Sequence, residues 1–260
     1  MADLLLLSEA QMRRIEPYFP LSHGIARVDD RRVISGIIYV IRNGLRWRDA
    51  PREYGPHKTV YNRFVRWSRL GVFNKIFAEL ARKGGAPKRL MIDATHLKAH
   101  RTAASLLKKG PVPRRIWPTK GGLNSKLHAV CDGRGRPVIM LLSEGQMSDY
   151  KGAALMIEAL PRATELLGDK GATELLGDKG YDADWFRRAL AERGIVACIP
   201  SKSNRKKLVE HDRKLYRQRH KIENMFGRLK DWRRIHTRYD RCAHTFFSAI
   251  CIAAVVIFWL

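Results

Sequence analysis

Residues 216–230 read YRQRHKIENMFGRLK. Residues three, four and seven apart share one face of a helix. A helix here therefore lines up Tyr216, Arg219, Glu223 and Lys230, with His220 and Gly227 beside them. The stripe carries one carboxylate among cations, plus a phenol. That mixture suits a Glu that holds a divalent metal while its neighbours grip phosphates. The plainer reading is a solvated basic helix with one acid in it.

Two more acids stand out by position. Asp93 ends the strand-like run LMID at 90–93, and Asp178 follows the apolar pair Leu175 and Leu176 in the turn GDKG. Ends of neighbouring strands in one sheet lie close together, and a helix packed over that edge supplies a third ligand. Three clustered carboxylates repel one another unless a cation sits among them. Mg²⁺ fits, because it takes a few carboxylates and leaves room for phosphate oxygens; Mn²⁺ accepts the same oxygen ligands. Two such ions, about 3.5–4 Å apart, clamp the attacking and leaving oxygens of an in-line displacement at phosphorus. The quieter alternatives are an Asp93 that caps a turn and an Asp178 that suits a tight loop. His96 and His100 read as polar loop residues, and Asp182 and Asp184 as helix-start acids.

The elements that must position these acids follow from hydrophobic period. The first part is helical. Ser8 to Gln11 has capping-box form, Asp29 and Asp30 start a second helix that Asn43 and Gly44 stop, and a third runs from about Thr59 to Leu70. Val60, Phe64 and Trp67 take one side of that third helix, with Arg63, Arg66 and Arg69 displayed on another. Helix, turn, then a helix with an Arg row is the outline of a helix-turn-helix DNA reader, and a basic helical bundle is the bland form of the same pattern. A linker, KGGAP at 83–87, ends this part. Strands then follow at 90–97, 126–130 and 137–142, a helix at 150–160, a short strand at 175–176, a helix at 184–193 and a strand at 195–199. That order predicts an α/β domain, a mixed sheet flanked by helices. The stretch 101–122 lacks periodicity and is rich in Lys, Arg, Pro and Gly; the bland reading is a basic loop beside the sheet, the sharper one a loop that grips nucleic acid through Lys120 with Trp117 stacked on a base.

Bulk properties agree. The chain has 260 residues and a formal net charge of +25, from 50 Lys+Arg against 25 Asp+Glu. Such self-repulsion points to a polyanionic partner, and nucleic acid is the default one. The basic residues are spread over several segments and not gathered on one amphipathic helix, so a membrane surface is disfavoured. Four cysteines at no metal-like spacing read as reduced thiols. The apolar stretch 246–260 reads as a buried terminal helix, too short to span a bilayer. No signal peptide is expected, and a cytosolic location is.

The late helix matches Y-x-x-R-x-x-x-E-x-x-x-x-x-x-K at every fixed position, and WRDAP at 47–51, KTVYNRF at 58–64, TKGGLNSKLHAV at 119–130, DKGYD at 178–182 and RLKDWRRI at 228–235 add to it. Together they resemble bacterial insertion-sequence DDE transposases, in the insertion-sequence-four and insertion-sequence-five branches. The resemblance covers nearly the whole chain. It implies a helical DNA-binding region at 1–83 and a ribonuclease-H-like catalytic domain at 84–260. Asp93, Asp178 and Glu223 take the places of the three acids, and Tyr216, Arg219 and Lys230 those of residues that position the helix and DNA phosphates. The implied reaction is metal-assisted nicking at the element's terminal inverted repeats, then attack of the freed 3′-hydroxyl on target DNA. Pairing two ends implies a homodimer in the active complex.

One feature departs from the family. The nine residues 163–171, ATELLGDKG, recur unchanged at 172–180. Only the downstream copy continues into Tyr181 and Asp182, so Asp178 is the expected ligand and Asp169 the decoy. An insertion beside a catalytic strand invites a register error. It keeps two other classes in view: a remnant that only binds DNA, and a nuclease that cuts without rejoining.

Overall fold

The computed structural model describes residues 4–21, 29–85, 87–105, 114–160 and 173–260. In chain order come helices α1 (Glu9–Ile15), α2 (Asp30–Asn43), α3 (His57–Arg69) and α4 (Val72–Lys83), strand β1 (Arg89–Ala99) and the single turn α5 (Arg101–Ala104). Strands β2 (Trp117–Thr119), β3 (Gly122–Asp132) and β4 (Pro137–Glu144) precede α6 (Asp149–Met156), β5 (Glu174–Leu176), α7 (Asp184–Ala191) and β6 (Val196–Cys198). The chain ends with α8 (Arg213–Tyr216), α9 (His220–Lys230), α10 (Arg233–His236), β7 (Thr237–Arg238) and α11 (Ala243–Phe258). These elements form two compact units: Met1–Leu80 with Lys98–Arg114 and Arg228–Leu260, and Ala81–Leu97 with Arg115–Gly227.

The first unit is helical for reasons visible locally. Ser8 and Gln11 complete a reciprocal capping box on α1. Asp29 accepts from the Arg31 N–H at the start of α2, and Gly44, at φ 73°, closes its end in the left-handed region where glycine costs least. Val33, Ile34, Ile37, Ile38 and Ile41 make the buried face of α2. Trp67 of α3 stacks on Phe19 with ring centroids 4.4 Å apart. The apolar C-terminal stretch is helix α11, buried against α2 and α3. That packing puts 228–260 in this unit. Among the described residues no helix is long and apolar enough to cross a membrane.

The second unit holds the sheet. Its strand order is β2-β3-β1-β5-β6, with β4 also paired to β3. β3 runs antiparallel to β2 and β4, while β5 runs parallel to β1 and β6. Leu90, Ile92, Leu175, Tyr181, Phe186 and Leu190 belong to one buried core beneath α6 and α7. Parallel strands covered by helices read as short continuous apolar runs, as 90–92 and 175–176 do. β1 extends further than its apolar start: the strand continues through Thr95, His96 and Leu97, so Asp93 lies inside it and not at its end. The segment 101–122 is not wholly irregular, since it contains α5 and β2. The upstream copy of the nine-residue duplication, with Asp169, lies outside the described residues.

Candidate active site

Strand register brings the two aspartates together. Leu90 pairs with Leu175 and Met91 with Leu176, and there the parallel ladder ends. Asp93 and Asp178 each stand two residues beyond that last pair. Side chains alternate along a strand, so each aspartate keeps the facing of its ladder residue. The downstream copy supplies β5, which is why Asp178 is the aspartate in this place. Asp178 is itself extended and caps the 3-10 turn Lys179–Tyr181, its Oδ1 accepting the Gly180 N–H at 2.8 Å. A Cβ at position 180 would stand 2.8 Å from that same oxygen, so a larger residue there must turn the carboxylate or open the turn.

The third acid arrives by helix. The stretch 213–230 is not one continuous helix: the 3-10 turn Arg217–Arg219 separates α8 from α9. Three residues per turn still keep Tyr216 and Arg219 on one side. Buried Ile222, Met225 and Phe226 seat α9, and Lys221 Nζ donates to the Gly133 carbonyl at 2.9 Å. Glu223 lies in the first turn. Arg219 joins it to the strand: Nη1 donates to Asp93 Oδ2 at 2.7 Å and Nη2 to Glu223 Oε1 at 2.5 Å.

The electrostatics follow. Burial raises the Asp93 pKa, and the Asp178 charge raises it further; the Ala94 N–H and the Arg219 guanidinium pull the other way without cancelling the rise. For Arg219, burial opposes the charge, but Asp93 and Glu223 outweigh it and its pKa is raised. Among the described residues no three His, Cys, Asp or Glu side chains are arranged to hold a metal. The cation between Asp93 and Glu223 is a guanidinium. This donor set is nevertheless hard, oxygen-only and short of positive charge, which suits Mg²⁺ or Mn²⁺.

Sequence reading passed over a neighbouring group. Asp149, in the first turn of α6, pairs with the buried Lys126, Oδ1 to Nζ at 2.7 Å. Its Oδ2 would lie 3.6 Å from a Cβ on Gly180, the residue bonded to Asp178. The Tyr181 hydroxyl is buried without a partner among the described residues. Burial raises its pKa, and Asp149, Asp93 and Asp178 add to the rise. An acid just after Ser148 at a helix start was the available signal.

The remaining expected residues are scattered. Tyr216 is half-buried with its ring edge-on to His211. Lys230 ends α9 and has its pKa lowered by burial. Lys120 is exposed in the turn between β2 and β3, and Trp117 is exposed on β2. On α3, Arg66 is exposed. Arg63 is not displayed as the helix period predicts. It pairs with Asp30 at 2.5 Å and lies over the Trp67 ring, so its charge is spent inside the bundle. His96 lies within β1, its Nε2 2.9 Å from the Gly145 carbonyl. Asp182 is tied by Arg187 at 2.9 Å, Arg205 at 3.0 Å and the Lys202 N–H at 2.8 Å, a structural role.

The family model described as "Transposase DDE domain" matches residues 84–258. The chain belongs to this transposase family. A second model, "Putative transposase of IS4/5 family", matches residues 7–77. The "Putative transposase for insertion sequence element IS6501" of Brucella ovis is 33% identical over 140 residues, 53% of this chain and 99% of the relative. The "Putative transposase for insertion sequence element IS402" of Burkholderia cepacia is 27% identical over 193 residues, 73% of this chain and 86% of the relative. Among solved structures, a piggyBac transposase synaptic complex with hairpin DNA matches with a TM-score of 0.51 at 10% identity, covering 95% of this chain and 69% of that one. That last likeness is one of fold, and the sheet of this transposase is accordingly ribonuclease-H-like. The insertion-sequence-four and -five resemblance carried by its motifs holds, and so does its transposase function.

Proposed function

We propose that this transposase nicks DNA at the terminal inverted repeats of its own element and joins the freed 3′-hydroxyl to target DNA. Asp93, Asp178 and Glu223 are the catalytic acids in this reading, and they would hold two divalent cations, Mg²⁺ or Mn²⁺. When bound, such ions stabilise charge on the attacking and leaving oxygens of the phosphodiester. The carrying observation is the parallel register that sets Asp93 beside Asp178, with Arg219 spanning from Asp93 to Glu223.

The chain's own residues do the rest. β1 and β5 fix the spacing of the aspartates before any substrate arrives, so little reorganisation remains for the reaction itself. Arg219 neutralises Asp93 and Glu223; a metal held by those acids would take over that charge and would leave the guanidinium available to a DNA phosphate. Tyr216 and Lys230 steady the helix and backbone phosphates, and Arg66 and Lys120 extend the basic contact surface. Two element ends require two protomers, so the active form is a homodimer on DNA. The setting is the bacterial cytoplasm at the nucleoid.

Labelled inverted-repeat duplexes incubated with Mg²⁺ test the reading. Joined products support it; cut but unjoined products indicate a nuclease; binding alone indicates a remnant. Asp93→Ala and Glu223→Ala are expected to bind DNA and to lose all cleavage. Undiminished cleavage by either variant would falsify the assignment of the acids.

A further inference from the structure

The turn between β3 and β4 reads DGRGR at 132–136. It forms one wall of a cavity of about 480 Å³, which Lys88 and Arg89 at the start of β1 also line. All of these residues belong to the second unit. Among the described residues the charged lining is Lys88, Arg89, Arg134 and Arg136 against Asp132, and no aromatic ring takes part.

The lone acid is already engaged. Asp132 is 4% exposed, and its Oδ1 accepts the Arg134 and Arg136 N–H groups at 2.9 Å each. Its Oδ2 accepts from Arg136 Nε at 2.8 Å. These bonds fix the turn, and Gly135, at φ 79°, closes it. Arg89 is engaged too, with Glu174 at 2.9 Å and Gln218 at 2.8 Å. Lys88 and Arg134 are exposed, and neither makes an ion pair among the described residues. Cations gathered round one concavity concentrate anions there. A base would find no ring to stack on, whereas a backbone phosphate asks only for charge.

The cavity and the acid site share two elements. Lys221 Nζ donates to the Gly133 carbonyl at 2.9 Å, and a Cβ at position 135 would stand 3.1 Å from the Lys221 carbonyl, so the turn lies against the start of α9. Gln218, which takes Arg89, precedes Arg219 directly. On β1, Arg89 stands four residues before Asp93, about 13 Å at roughly 3.3 Å per residue. One DNA strand advances about 3.4 Å per phosphate, so roughly four nucleotides cover that span.

We infer that this cavity takes one backbone phosphate of the DNA, held by Lys88 and Arg134, about four nucleotides from the phosphodiester under attack. The inference rests on the proposed action at element ends and adds an anchoring site to it, outside the acids.

The test uses the full chain and duplexes of its inverted-repeat ends. An uncharged methylphosphonate replaces each phosphate singly, through about ten nucleotides on either side of the nick. One phosphate, or two adjacent ones, about three to five nucleotides from the nick is expected to cost the parent at least fivefold in affinity. The double variant Lys88→Ala, Arg134→Ala alters exposed side chains only, and its circular dichroism should match the parent. It is expected to lose less than twofold at that same phosphate. Its plot of log affinity against log salt should be shallower by about 0.9, the value of one phosphate contact. The charge-keeping variant Lys88→Arg, Arg134→Lys should restore both readouts. Losses equal in parent and double variant at every phosphate, or a salt slope unchanged between them, overturn the inference while DNA binding and cleavage stand. Failure of the parent to bind the ends at all overturns the proposed function as well.

Discussion

Arg219 reaches from the late helix to the first strand and donates to Asp93 at 2.7 Å, holding Glu223 with its other nitrogen. One side chain thus gathers two of the three acids. Arg219→Ala leaves Asp93 without its cation. Charge-assisted hydrogen bonds contribute about 1.5–3 kcal/mol each, so the metal-free variant should lose roughly that much stability in urea unfolding. Added Mg²⁺ should restore more to the variant than it gives the parent, because no guanidinium competes.

Asp93→Asn separates the charge from the shape. The ionised Asp93 is disfavoured by burial and by Asp178. The neutral amide should keep the metal-free melting temperature at pH 7 within a few degrees of the parent. It should also abolish the upward shift that Mg²⁺ or Mn²⁺ gives the parent, and cleavage with it. A preserved metal shift would remove Asp93 from the ligand set.

Gly180→Ala puts a methyl 2.8 Å from Asp178 Oδ1. Real Cβ atoms do not stand that close, so the carboxylate must turn or the 3-10 turn must open. Nicking should fall at least tenfold, about 1.4 kcal/mol in the barrier. Circular dichroism and chromatographic elution should match the parent.

Asp182→Ala leaves Arg187 and Arg205 without their shared carboxylate. Breaking a buried pair from one side costs about 3–5 kcal/mol, readable as a lower urea midpoint at pH 7. Burial would raise the Asp182 pKa, but Lys202, Arg187 and Arg205 hold it below the ordinary carboxylate range. A depressed folded pKa means this stability is present above the ordinary aspartate value, about 3.9. It is lost as the pH falls through the lower folded value. The stability gap between parent and variant should therefore narrow on acidification below about pH 4.

Deleting residues 163–171 should leave β5 in register, because Thr173 to Gly180 supply the strand and the acid. The deleted protein should nick faster than the parent, having lost the competing register. Equal rates would show the insertion to be harmless.

Local signals were legible where one residue decides the outcome. Ser8 caps α1, Gly44 ends α2, and the short apolar runs at 90–92 and 175–176 became neighbouring parallel strands. The candidate acids could be picked out because Asp93 and Asp178 follow short apolar runs and the late motif singles out Glu223. Partnerships across the chain were not. Nothing near Arg63 announces Asp30, and nothing near Lys126 announces Asp149, since each pairing is created by packing. Gly227 is a similar case: a Cβ there meets nothing within 4 Å, so crowding does not explain a glycine in the middle of α9.

The β1–β5 ladder pairs residues 85 positions apart. During synthesis, β1 therefore leaves the ribosome with one edge bare until its partner is made. Unpaired edges recruit other strands. A product cut short before Glu174 would keep that edge, and such fragments should cluster and be degraded rather than lie inert.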